Sequence, residues 1–160
     1  MNTADVSLGP GRLDHLTMLC HTANHTRRHF ERTVLAPARL TWTGYEVLHL
    51  AVMHTPIDTG ALAAIAGVSK GTVTRAASTL IERSLLHRET PQVDRRRAVL
   101  APTAQGWALN LSLRGQLISE LARLLDPYQS PGNTEFVHLR HLLANPGQIA
   151  PTDRTGQHLE

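Results

Sequence analysis

Residues 60–83 place two short helical runs on either side of a single glycine, and few folds accommodate that arrangement. GALAAIA (60–66) is small and apolar, and Gly67 follows it where a left-handed turn would close a helix. Val68 supplies the hydrophobic residue of the turn. Ser69 is an N-cap for a second helix running to about Arg83. In that helix Val73, Ala76, Ala77, Leu80 and Ile81 recur at three- and four-residue steps and form its inward face. Two helices joined by a tight glycine turn make a helix-turn-helix.

The other face of the second helix is unlike a packing surface. Ser69, Lys70, Gly71, Thr72, Thr74 and Arg75 cluster at its start, with short hydroxyls, two positive charges and no bulk. Such a helix is about 22 Å long at about 1.5 Å per residue, enough to cross a DNA major groove. Short hydroxyls allow close approach, Arg75 can grip phosphate or a guanine edge, and Gly71 removes a side chain at the nearest point. The positive end of the helix adds attraction for phosphate.

Two extended runs follow, Leu85–Glu89 and Ala98–Ala101, joined by a polar connector that contains Asp94, Arg95, Arg96 and Arg97. A hairpin directly after a recognition helix reads as the wing of a winged helix. Its arginines suit the narrow, negative minor groove, and Asp94 can pair with one of them and fix its direction.

Long amphipathic segments flank this centre. Leu13, Leu16, Cys20, Ala23, Phe30 and Val34 mark a first helix, closed by Pro37. Thr41 or Thr43, the latter with Glu46 as a capping box, starts a helix that ends at Pro56. Thr103 caps a long helix through Trp107, Leu111, Leu117, Ile118, Leu121, Leu124 and Leu125. PYQSPG (127–132) interrupts the chain before a last helix from about Thr134 to Ala144.

The expected fold is mainly α with a small β-hairpin: a winged helix-turn-helix flanked by N- and C-terminal dimerisation helices. Its divisions are an arm and dimerisation helix (1–36), the winged helix-turn-helix region (40–102), C-terminal dimerisation helices (103–145) and a disordered tail (146–160). The flanking apolar stripes exceed what a small centre can cover, and a two-fold homodimer is the commonest solution.

Composition narrows the class further. Of 160 residues, 41% are apolar and 18% charged, as in a soluble globular protein. The net charge is +3 and the pI about 9.7, so local arginine clustering says more than the total. No apolar run nears the roughly 20 residues of a membrane span, and the N-terminus lacks the order of a secretory signal. One cysteine excludes an internal disulfide. A cytoplasmic protein is expected, with no membrane partner. The sequence holds no G-x-S-x-G, Walker loop or H-E-x-x-H, so no enzyme is expected. A winged helix serving as a protein-interaction module is the alternative, though such a module has no need of the arginine-rich wing.

The stretch LAAIAGVSKGTVTRAASTLIERSLLHRETPQVDRRRAVLAPTAQG (62–106) closely resembles the winged-helix core of the MarR (multiple-antibiotic-resistance regulator) transcription factors. SKGTVTR, LIERSLLHR, the wing DRR and a Thr-x-x-Gly helix start stand in that family's order and spacing. LTWTGYEVLHL (40–50) resembles the segment leading into its second helix. The resemblance implies a homodimer on a pseudo-palindromic operator, usually a repressor released by a ligand or an oxidant. It matches Ser69, Lys70, Thr72, Thr74 and Arg75 to recognition-helix positions, and Asp94 with Arg96 to the wing's aspartate and groove-entering arginine. Ser84 stands where the family usually has glycine, and Pro102 where it has an apolar residue.

Three kinds of release remain open. A small aromatic or acidic effector would find an arginine or histidine and an aromatic wall among Arg27, Arg28, Trp42, Tyr45 and His49. Cys20 could sense oxidants, with His21 or an arginine lowering its pKa. His21, His25 and His29 repeat at four-residue steps, a spacing that can share a metal ion, with His15, His138 and His141 as further candidates. No cofactor is expected; the metal ion is the alternative.

Overall fold

The computed structural model describes residues 10–89 and 99–126, together with Phe136 and Leu139. The chain forms two compact units, one of residues 27–122 and the other of residues 1–26 and 123–160.

Within residues 27–122 the order is a π-helical turn (Glu31–Leu35), a 3-10 turn (Ala36–Ala38), α2 (Trp42–Met53), β1 (Ile57–Asp58), α3 (Thr59–Ala66), α4 (Lys70–Glu82), β2 (Leu86–Glu89), β3 (Val99–Pro102) and α5 (Ala104–Leu125), whose last turn passes into the other unit. Helix α1 (Pro10–Phe30) begins in that other unit and runs directly into the π-helical turn. The fold is therefore the mainly α, winged helix-turn-helix class expected from sequence.

Local chemistry sets most of the boundaries. Thr41 caps α2 by accepting from the Gly44 N–H at 3.1 Å, so of the two threonines open from sequence this one serves. Asp58 caps α3, accepting from Gly60 N and Ala61 N at 2.8 and 2.9 Å. The cap moves the helix start one residue ahead of Gly60. Gly67 closes α3 at φ 65°, in the left-handed region, and Ser69 caps α4 through the Thr72 N–H at 3.2 Å.

Helix α2 buries Tyr45, Val47, Leu48, Ala51 and Val52. It packs on α4, which turns Val73, Ala77 and Leu80 inward, and α3 adds Leu62 and Ala63. Leu35, Val47, Leu48, Leu62 and Val73 have no exposed surface, so the core lies directly behind the helix-turn-helix.

The sheet contains the expected hairpin, β2 with β3, and adds a third strand to it. It has three antiparallel strands in the order β1-β3-β2, with Ile57 opposite Leu100 in one ladder and Leu86 opposite Pro102 in the other. Strand β1 is only two residues long and lies between Pro56 and a capping aspartate, where local signals read as turn.

The junction from α4 to α5 explains two unusual residues. Ser84 lies at φ 57°, a conformation that favours glycine. Its carbonyl is held by the Thr103 hydroxyl at 2.7 Å, which helps to secure the turn. Thr103 also caps α5 through the Gly106 N–H at 3.0 Å. Pro102 ends β3 and is buried.

In the other unit, His25 meets Phe136 edge-on with centroids 5.3 Å apart, and Leu124 and Phe136 are buried. Most of the last helix expected from sequence, and the tail, lie outside the described residues.

Candidate nucleic-acid interface

Helix α4 divides cleanly between packing and display. Val73, Ala77 and Leu80 are buried, whereas Ser69, Lys70, Gly71, Thr72, Thr74 and Arg75 are all exposed. Ser69 Oγ and Thr72 Oγ1 are 2.8 Å apart, and Thr74 donates to the Lys70 carbonyl at 2.8 Å. These bonds fix two threonine rotamers on the outward face. No acidic side chain belongs to this set, so the helix start presents only hydroxyls and cations.

Gly71 is informative because the fold does not require it. A Cβ built there would meet nothing nearer than Ser69 Oγ at 3.9 Å, yet glycine in a helix costs about 1 kcal/mol relative to alanine. Gly71→Ala is expected to stabilise the protein by about 0.5–1 kcal/mol while weakening the DNA binding proposed below. Thermal melts and fluorescence anisotropy on one preparation would show the two opposite signs; unchanged or tighter DNA binding would contradict the close approach.

Strands β2 and β3 pair out to Glu89 opposite Val99, where the connector joins them. Asp94, Arg95, Arg96 and Arg97 lie outside the described residues.

The residues expected to line an effector site are partly brought together. Phe30 and Trp42 stack at 6.2 Å, Trp42 tilts against Tyr45 at 5.9 Å, and Tyr45 stacks on His49 at 5.7 Å. His49 Nδ1 lies 3.3 Å from Asn110 Oδ1. Tyr45 is buried, which pushes its hydroxyl pKa up, while the charge of Arg114 pulls it partly back. Arg27 instead donates to the Thr43 hydroxyl at 3.0 Å, and Arg28 is exposed. Asn110 and Arg114 escaped the sequence reading; their spacing of four on α5, amid apolar residues, was the available signal.

Cys20 is exposed, although its place in the apolar pattern pointed inward. His21 is exposed, His25 faces Phe136, and His29 Nε2 lies 2.5 Å from Glu120 Oε1. Among the described residues no three His, Cys, Asp or Glu side chains are grouped to hold a metal ion. Among them, too, no helix is long and apolar enough to cross a membrane.

A groove of about 560 Å³ is lined by Pro37, Ala38, Arg39, Arg83, Leu85, Gln105, Ala108 and Leu109. Arg83 spans one side of it, donating to the Arg39 carbonyl at 2.9 Å and to the Ala38 carbonyl at 2.8 Å.

The capped pair α3–α4 with its small sheet defines a winged helix-turn-helix fold. Residues 40–98 match the family model for the MarR family. Solved structures share the fold. The apo MarR from E. coli is 20% identical, with 90% of this chain and 98% of that one aligned at a TM-score of 0.66. BldR from Sulfolobus solfataricus is 17% identical, covering 93% and 97% at 0.65. CouR from Rhodococcus jostii RHA1, solved with p-coumaroyl-CoA bound, is 20% identical, covering 89% and 93% at 0.61. No curated protein matches the sequence.

Proposed function

We propose that the chain is a sequence-specific DNA-binding regulator of the MarR type, working as a homodimer and, as a repressor, released by a small aromatic or acidic effector. The observation that carries this reading is the division of α4. Its apolar stripe is spent on the core, and its exposed start holds Lys70, Arg75, three hydroxyls and an unrequired glycine. Apart from Ser69, which caps the helix, neither core packing nor capping accounts for these residues, whereas contact with a duplex does.

The test is a gel shift with the DNA upstream of the chain's own gene. Affinity should fall steeply as salt rises, because each neutralised phosphate releases counterions. Binding indifferent to salt would overturn the reading.

Exposed apolar residues support the dimer. On α5, Trp107, Leu111 and Ile118 keep 49%, 72% and 58% of their surface exposed, and on α1 Leu13 and Leu16 keep 66% and 57%. Apolar side chains repeated along a helix want a partner surface. The protein should sediment as a dimer at micromolar concentration and protect half-sites about 34–36 Å apart, one helical turn. A monomer would contradict this.

The stacked series of Trp42, Tyr45 and His49 suits an aromatic effector. CouR holds an aromatic acyl thioester, p-coumaroyl-CoA. Aromatic acids and their thioesters are accordingly the compounds to screen for release of bound DNA.

A further inference from the structure

One flank of α4 forms a shallow groove of about 240 Å³ against the start of α2, lined by Thr41, Thr43, Thr72, Arg75, Ala76 and Thr79. The α4 members fall at i, i+3, i+4 and i+7, a single stripe beside the outward face. Arg27 reaches the opposite wall through its bond to Thr43.

On the α4 side Thr79 Oγ1 donates to the Arg75 carbonyl and Thr72 Oγ1 pairs with Ser69 Oγ, but the hydrogen bonds on the α2 side leave a surplus of donors. Thr41 Oγ1 accepts from the Gly44 N–H, and Thr43 Oγ1 accepts from Arg27. Both hydroxyls therefore still have a proton to donate. The lining contains no carboxylate, and the ion pairs among the described residues, His29–Glu120 and His87–Glu89, engage neither Arg27 nor Arg75. A groove offering donors and positive charge suits an acceptor-only anion with several oxygens, which is a phosphate.

We propose that this groove seats a phosphate of the DNA backbone, with Arg27 supplying charge and Thr43 holding its guanidinium in place. This rests on the DNA-binding reading above. Thr72 and Arg75 belong both to the groove and to the displayed start of α4, so a strand flanking the major groove occupied by α4 passes over this flank. The end of α1 thereby joins the DNA-contacting surface, and Arg27 serves the duplex rather than an effector.

The test uses the full-length protein and fluorescence anisotropy on the footprinted upstream DNA and on a random duplex of equal length, across a salt series. Arg27→Gln removes the charge but keeps a donor for Thr43, and Arg27→Ala removes both. Each should weaken the two duplexes by the same factor and make the plot of log affinity against log salt about one unit shallower. Thr43→Val should weaken both duplexes too, with the slope less changed.

Unchanged affinity and slope in Arg27→Gln, with the wild type binding steeply, would overturn the phosphate seat and leave the regulator reading intact. Loss confined to the upstream DNA would mean that Arg27 reads a base, and would also overturn it. A wild type that binds neither duplex in a salt-dependent way would overturn both readings. If inorganic phosphate raised the wild-type melting temperature while the variants bound DNA normally, the groove would belong to a free anion and the proposal would fail.

Discussion

Replacing Gly106 with alanine is expected to cost about 2–4 kcal/mol of stability, among the largest single-methyl effects this fold can show. A Cβ at Gly106 would stand 2.0 Å from the Leu85 carbonyl oxygen, with the Leu85 carbonyl carbon at 3.0 Å and Leu48 Cδ1 at 3.4 Å. The nearest obstacle is backbone and cannot rotate aside. The same oxygen accepts from Thr103 N at 3.1 Å and from Thr103 Oγ1 at 3.3 Å. Making room for the methyl group thus pulls the start of α5 away from Leu85, which is buried, and weakens both bonds. Urea unfolding should show a lower midpoint at an unchanged slope. A loss below about 1 kcal/mol would mean that the α4–α5 junction is looser than described.

Replacing Arg75 with alanine is expected to do the reverse, sparing the fold and crippling recognition. Arg75 is exposed, and the hydrogen bond it receives, from Thr79 Oγ1 at 3.3 Å, goes to its backbone carbonyl, which alanine retains. Unfolding free energy should stay within about 0.5 kcal/mol of wild type. Operator affinity should fall by about 1–3 kcal/mol if the guanidinium reads a base, with a smaller loss on random DNA. Anisotropy on both duplexes checks this. Equal losses on the two would limit Arg75 to phosphate, and no loss on either would remove α4 from the interface.

The helix boundaries that proved legible in the sequence are those set by chemistry within a few residues. Gly67, Ser69 and Thr103 act on atoms three or four positions away, and their roles can be read without knowing what packs where. The inward face of α4 was legible for the same reason, since helical period alone selects Val73, Ala77 and Leu80. Distance in sequence hid the rest. Strand β1 exists because Ile57 and Asp58 meet Leu100 and Val99, about forty residues on. The choice of Thr41 over Thr43 is tied to Glu31, whose carboxylate accepts from the Trp42 N–H at 2.6 Å.

Of the candidate site, the display face of α4 was legible because exposure there follows from periodicity. The partners of the histidines and of Arg27 were not. His29 meets Glu120 and His49 meets Asn110 only because α5 returns past α1 and α2. The chemistry of an acidic aromatic effector groups Arg27 with Trp42, Tyr45 and His49, whereas its guanidinium is bonded to Thr43.

Arg83 ties two separate segments together. Its guanidinium, at the end of α4, clasps two successive carbonyls of the 38–39 linker, and charged hydrogen bonds of this kind contribute about 1.5–3 kcal/mol each. The C-terminal end of α4 is therefore fastened to the turn that follows Pro37 as well as to the core behind it, and displacing that turn has to break two charged bonds first.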